Sequence, residues 1–401
     1  MKDKNSLKSA PKIVFWLSFF VIVFACITIT TDSLGYKLPV LVPDNYKSSF
    51  LPGFQYSQLP ENRSAHNVIS KVEATQSTAN LSRARKNLTT HVAFLKVHKA
   101  GSTTMQNLFF RFGLRHNLNI LLPKSGNYLN VASQKIPLKP GEHYDVFACH
   151  TVYRKQWFDS LLPADSVYIG IVREPVSRMI SSAYYYRDVF GVGYLKRTPQ
   201  ANFIHNLVNF PEKYDTGFFS HTRNSMGKDF GFQRGIQQTN KTQIKKYLDQ
   251  LNSQFLLVLV MEKFDESLVM MKRVLNWSFI DIIYLKTNSH KHNPIVLNAT
   301  EKATFRRTSF LDFEIYEYFS DVFEKKLNQT ELDFYDEVAF FKTLLDQVSE
   351  FCFKKNKSET LGLSIQQSKW DGKFQVTKSD CEWMQTKEIA FITKLRKKYI
   401  R

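Results

Sequence analysis

The chain has 401 residues, 43% of them hydrophobic and 14% aromatic, which is enough for a sizeable core and too apolar for a disordered protein. Its 55 Lys and Arg against 36 Asp and Glu leave a formal charge of +19. That favours an anionic partner (nucleic acid, an anionic membrane surface, or a phosphorylated or sulfated small molecule) without choosing among them.

Between Lys12 and Asp32 lie 19 uncharged residues, IVFWLSFFVIVFACITITT. As a helix they span about 28 Å, close to a bilayer core. Lys2, Lys4, Lys8 and Lys12 precede the run with only Asp3 opposing, so the positive-inside rule keeps the N-terminus cytoplasmic and sends the rest into a lumen. A cleaved signal peptide is the competing reading, although its apolar region is normally only about 7–15 residues. The expected organisation is a cytoplasmic tail at 1–12, a transmembrane signal anchor at 13–31, a polar lumenal stem at 32–89 and a folded catalytic domain at 90–401. Sequons at Asn62, Asn80, Asn87, Asn240, Asn276, Asn298, Asn328 and Asn356 all follow the apolar run, in keeping with a lumenal fate. Asn276, inside a helical pattern beside Trp277, is the least convincing acceptor. A lumenal domain also makes nucleic acid a poor partner despite the charge.

In the domain, Val92–Val97 reads as a strand and Ser102–His116 as a helix, with Met105, Leu108, Phe109 and Phe112 at helical spacing. Asn119–Leu122 suits a short strand, residues 123–143 a Pro- and Gly-containing loop, and Asp145–Cys149 and Ser166–Val172 two further strands. A helix follows from Pro175. Thr198 to Gly235 reads as helices joined by loops that face a substrate. Gln254–Val260 is a buried strand, Phe264–Leu275 an amphipathic helix and Asp281–Lys286 a last strand. Phe310–Leu327 and Glu331–Phe353 are helical. Continuous apolar strands alternating with helices predict an α/β fold with a mostly parallel sheet flanked by helices and a helical C-terminal part. Of the lumenal cysteines, Cys352 and Cys381 are expected to form a bridge worth about 3–4 kcal/mol, and Cys149, within a strand, to be a buried free thiol.

Ligands of such sheets bind beyond the carboxyl ends of the strands. Three strands here end in polar residues: His98-Lys99, His150 and Arg173-Glu174. These ends are expected to share one crevice. At the first, Gly101 allows close backbone approach, Ser102, Thr103 and Thr104 can cap the helix, its free N–H groups face an anion, and Lys99 adds charge. This is not a Walker A loop, in which the lysine follows the second glycine. At the third, Arg173 and Arg178 with Ser177 and Ser181 can surround a second anion.

Lys96-Val97-His98-Lys99-Ala100-Gly101-Ser102-Thr103-Thr104 resembles the 5′-phosphosulfate loop of sulfotransferases that use 3′-phosphoadenylyl sulfate (PAPS). Arg173 and Ser181 stand as in the 3′-phosphate motif of those enzymes. More narrowly, FLKVHKAGSTTMQNLFFRFG, YIGIVREPVSRMISSAYYYR and FDESLVMMKRVLNW are similar to the galactose-3-O-sulfotransferase family of Golgi membrane enzymes. The resemblance implies a P-loop-like fold and transfer of a sulfuryl group from PAPS to the 3-hydroxyl of a β-galactose on a glycolipid or glycan, with no metal required. It assigns Lys99 to the leaving oxygen, Gly101, Ser102, Thr103 and Thr104 to the 5′-phosphate, and Arg173 and Ser181 to the 3′-phosphate. Cys149-His150-Thr151-Val152-Tyr153 also resembles the strand end carrying the catalytic histidine of uronyl 2-O-sulfotransferases. That makes His150 the first choice of base, with His98 in reserve. The implied partners are a galactose-terminated acceptor and the Golgi membrane, and a homodimer is left open. Sugar contacts are expected from Tyr194, Phe203, His205, Phe218, Phe219, His221 and Arg223.

Other readings remain open at this stage. One is a PAPS enzyme for a uronyl or hexosamine hydroxyl; another is a lumenal glycosyltransferase, which would lack a D-x-D metal motif here; a third is a non-enzymatic glycan-binding membrane protein.

Overall fold

Short, wholly apolar strands need cover on both faces, and that requirement shapes the molecule. The computed structural model describes residues 87–217, 219–286, 294–354 and 362–399. The expected cytoplasmic tail, the membrane anchor and nearly all of the stem lie outside them, as do Phe218 and the sequons at Asn62, Asn80 and Asn356. Among the described residues no helix is long and apolar enough to cross a membrane.

Strand β1 (Val92–Phe94) passes through a turn into α1 (Ser102–Arg115). After β2 (Ile120–Leu121), a long loop leads to β3 (Val146–Phe147) and α2 (Lys155–Asp159). Next, β4 (Val167–Val172) runs into α3 (Pro175–Asp188), followed by the short helices α4 (Gly193–Arg197), α5 (Phe203–Asn209), α6 (Pro211–Tyr214) and α7 (Ser225–Asp229). Then come α8 (Lys241–Gln254), β5 (Leu257–Val260), α9 (Phe264–Leu275), α10 (Phe279–Ile282), α11 (Ala299–Thr308), α12 (Phe310–Leu327) and α13 (Phe334–Phe353). The chain continues through a hairpin of β6 (Gly362–Ile365) and β7 (Phe374–Thr377), then α14 (Lys378–Gln385) and α15 (Glu388–Tyr399).

The main sheet is parallel throughout, in the order β2-β3-β1-β4-β5. Val92 pairs with Val146 on one side and Val167 on the other, so β1 is central. Every residue of β1, β4 and β5 is buried. A smaller apolar cluster joins Met179, Ile180 and Ala183 of α3 to Phe203, Ile204 and Leu207 of α5 and Phe305 of α11.

The expected α/β sheet is present, and α9 and α12 have the bounds read from the sequence. Two expectations need correction. Asp281–Lys286 is not a strand: Ser278 and Asp281 form a reciprocal capping box that starts α10, and the Ile283 carbonyl accepts from the Arg111 guanidinium instead of a ladder. The C-terminal part is not purely helical, because β6 and β7 form an antiparallel hairpin. Cys352 and Cys381 are disulfide-bonded, and Cys149 is a buried free thiol whose pKa burial pushes up to about 12. Asn276 lies at the exposed left-handed cap that ends α9, not inside a helix.

Candidate active site

The turn after β1 has backbone geometry that most residues avoid. Lys99 sits at φ 63° and Gly101 at φ 70°, both left-handed. At Gly101 a Cβ would fall 2.4 Å from Met261 Sδ, so any side chain here would adopt a strained backbone and also displace the Met261 thioether. Gly101 is itself the N-cap residue of α1, and no side chain caps the helix, which corrects the expectation that Ser102, Thr103 or Thr104 would do so. The Gly101 carbonyl accepts from Thr104 and Met105. Among the described residues the N–H groups of Ser102 and Thr103 find no acceptor in the protein, which leaves a donor nest at the positive end of a 14-residue helix.

Two cations converge there. The Arg173 guanidinium donates to the Lys99 carbonyl at 2.9 Å, and the Lys99 ammonium lies 3.8 Å from the centroid of the Tyr185 ring. Among the described residues neither cation has a carboxylate within ion-pair distance. Burial, with Arg173 and Lys96 adding repulsion, brings the Lys99 pKa down to about 8, and burial also lowers that of Arg173. Two partly desolvated cations beside open N–H donors create a demand for an anion.

The two histidines are stacked, with ring centroids 4.1 Å apart. Asp229, at the end of α7 and buried, accepts the His98 backbone N–H at 2.7 Å and holds its Nδ1 at 2.9 Å. This carboxylate fixes the ring and leaves Nε2 as the working nitrogen. His150 Nδ1 donates to the Lys96 carbonyl at 3.1 Å. Burial, with Lys96 and His98 nearby, pulls the His150 pKa well below the ordinary imidazole value, so its ring is neutral at physiological pH.

Asp229 is held by a longer chain of contacts. Asp312 of α12 accepts from the N–H groups of Ser225, Met226 and Gly227, seating α7, and pairs with Arg178 at 3.0 Å. Arg178 and Asp312 are both fully buried. Arg178 is thus a core ion pair and not an anion ligand, which corrects the sequence expectation. Glu174 caps α3 by accepting from Val176 and Ser177. Ser177 is exposed, and Ser181 is half-buried within α3 with no partner for its hydroxyl among the described residues.

Residue reading missed Glu388, at the start of α15. Its carboxylate accepts from Thr103 Oγ1 at 2.9 Å, from Lys96 Nζ at 3.2 Å and from the Asn127 amide, and lies 3.9 Å from His150 Nε2. Desolvation alone would raise its pKa, but Lys96 and the bonds from Thr103 and Asn127 outweigh that and hold it below the usual carboxylate range. Asp229 was missed as well, and neither residue carries a motif in the sequence.

Of the expected sugar contacts, Tyr194 and Phe203 are packed in the core, His205 is held by Glu301 at 2.7 Å, and Arg223 by buried Asp215 at 2.8 Å. His221 stacks on Tyr186 with centroids 4.1 Å apart, and Phe219 is exposed.

The residues form one cationic pocket suited to an anionic ligand: an N–H nest with Lys99 at the end of β1, and Arg173 reaching it from the end of β4. The family model described as Galactose-3-O-sulfotransferase matches residues 41–380. Galactose-3-O-sulfotransferase 2 of Mus musculus is 27% identical over 256 residues, covering 60% of this chain and 63% of the relative. Galactosylceramide sulfotransferase of Homo sapiens is 27% identical over 248 residues, 59% of this chain and 57% of its own. Galactose-3-O-sulfotransferase 3 of Homo sapiens is 30% identical over 254 residues, 58% of this chain and 56% of its own. The chain thus spans about six-tenths of the length of these relatives. With the family match running through the nest, both histidines and Arg173, the chain belongs to the galactose-3-O-sulfotransferase family.

Proposed function

We propose that the protein transfers a sulfuryl group from PAPS to the 3-hydroxyl of a terminal β-galactose on a glycolipid or glycoprotein glycan. The observation that carries this reading is the convergence of Lys99, Arg173 and the open N–H nest beside a histidine oriented by a buried carboxylate. The donor, when bound, supplies an activated sulfur on a phosphate leaving group. In this reading Gly101, Ser102, Thr103 and Thr104 hold the 5′-phosphate, and Arg173 and Ser181 hold the 3′-phosphate.

His98 Nε2 takes the proton of the galactose 3-hydroxyl while Asp229 keeps Nδ1 protonated. The galactose oxygen bonds to sulfur as the bond from sulfur to the phosphate oxygen breaks, and the Lys99 ammonium receives the charge on that oxygen. A placed base contributes about 10²–10⁴-fold and a fixed charge partner about 10²–10³-fold. The Asp229 contact is why His98, first held in reserve, is preferred here to His150. With its pKa depressed by burial, His150 is a weak base, and it serves to pack against His98.

The lumenal, single-pass Golgi topology belongs to the same proposal and is supported by the apolar run at 13–31 and by exposed sequons at Asn87, Asn240, Asn276, Asn298 and Asn328. The test is incubation of the purified chain with labelled PAPS and a panel of galactosides, with His98→Ala and His150→Ala in parallel. Label on the galactose 3-oxygen, lost in His98→Ala, is the expected result. Failure to bind adenosine 3′,5′-bisphosphate would remove the donor assignment. Binding without transfer to any galactoside would remove the acceptor.

A further inference from the structure

The opposite end of the parallel sheet, where the strands begin, gathers a second group of titratable side chains. His91 immediately precedes β1, His143 and Asp145 precede β3, and Asp165 precedes β4. His91 Nε2 and His143 Nε2 face each other at 3.2 Å, with their rings edge to face. Asp145 Oδ1 lies 2.9 Å from His143 Nε2 and 3.4 Å from His91 Nε2. Three ligand atoms from two places in the chain thus form a small triangle with sides of 2.9, 3.2 and 3.4 Å.

A tetrahedral zinc ion with bonds of about 2.0–2.1 Å to nitrogen and oxygen has ligand-to-ligand edges of about 3.3–3.4 Å. The triangle matches one face of that tetrahedron, each side falling within about half an ångström of the expected edge. We propose that His91, His143 and Asp145 bind a divalent transition cation of the zinc class, with the fourth position open to solvent on the exposed side of His143.

The surroundings support this assignment. His91 Nδ1 is bonded to Asp165 Oδ1 at 2.7 Å, which sets the tautomer that leaves the Nε2 lone pair free and places a carboxylate behind the histidine, as metal-binding histidines require. Asp145 Oδ2 accepts the Asn119 backbone N–H at 2.6 Å, which aims Oδ1 at the two imidazoles. Two imidazoles and a carboxylate are a borderline-soft set suited to zinc and poorly suited to calcium or magnesium. The site shares no residue with the proposed transfer site, which lies at the other ends of the same strands. The ion acts as a clasp: it ties the start of β1 to the loop before β3, and through Asp165 to the start of β4, and it stabilises the fold by binding only the folded state.

The test uses the full-length chain stripped with a chelator and titrated with Zn²⁺ by calorimetry, with Co²⁺ absorption reporting geometry and Mg²⁺ as the control. The expected result is about one Zn²⁺ per chain, a raised melting temperature, tetrahedral Co²⁺ bands, and no response to Mg²⁺. His143→Ala, a change at an exposed ligand, should abolish saturable binding. Asp165→Asn should weaken it about 10–100-fold while circular dichroism stays unchanged. Absence of saturable Zn²⁺ binding in the parent chain overturns the proposal. So does binding that survives both substitutions, since the ion would then lie elsewhere, and so does an equal response to Mg²⁺.

Discussion

Lys99 is asked to be a cation in a place that penalises charge. In the free protein, burial first and Arg173 second bring its pKa to about 8, so above that pH the ammonium is lost. A bound dianion favours the protonated form, so nucleotide binding takes up a proton above pH 8. Affinity for adenosine 3′,5′-bisphosphate should therefore be flat below about pH 8 and fall up to about tenfold per unit above it, which titration calorimetry across pH 7–10 measures. Lys99→Arg should flatten that profile. Asp229 carries a second prediction at this scale. Asp229→Asn keeps the shape but allows the wrong His98 tautomer, so kcat should fall by about 10²–10⁴-fold with little change in bisphosphate affinity. An equal loss in both parameters would mean that Asp229 only holds the fold.

Among the elements, α15 is the one whose role in the site is unexpected, since it follows the end of the family match at residue 380. It brings a carboxylate to a nest otherwise built for an anion. Glu388→Gln keeps the shape and the hydrogen-bonding capacity while removing the negative charge beside Thr103 and Lys96. The bisphosphate should then bind about tenfold more tightly, a change of about 1.4 kcal/mol, as measured by competition binding. Unchanged affinity would show that Glu388 serves only to balance Lys96. The same element marks the limit of reading from sequence. Strands β1, β4 and β5, helices α9 and α12, and the turn at Lys99 announce themselves through local periodicity and a short motif. Glu388 and Asp229 reach the site from 285 residues beyond Thr103 and 131 residues beyond His98, and no local pattern records such a meeting. Arg178 failed for the converse reason: its neighbours suggested an anion site, and the decisive partner, Asp312, lies 134 residues away. The Asp281 segment looked like a strand because its residues are apolar and β-branched, but a capping box took precedence.

Across the whole molecule, one sheet supplies both a chemical end and a quiet one. The Cys352–Cys381 bridge joins the end of α13 to α14, and α14 leads into α15, so the covalent staple and Glu388 belong to one C-terminal assembly. The Arg178–Asp312 pair likewise links α3 to the first turn of α12, on which α7 is seated. Lys99 adds a cost borne by the entire fold, because a non-glycine residue at φ 63° is strained by about 1–3 kcal/mol and its charge is partly desolvated as well. Glycine at this position would relieve both. Lys99→Gly should therefore unfold about one to three degrees higher than the parent while losing transfer, as differential scanning calorimetry and an activity assay would read. Selection for thermal robustness alone would remove this lysine, so its presence measures how much durability the protein gives up to keep a charge at the mouth of its sheet.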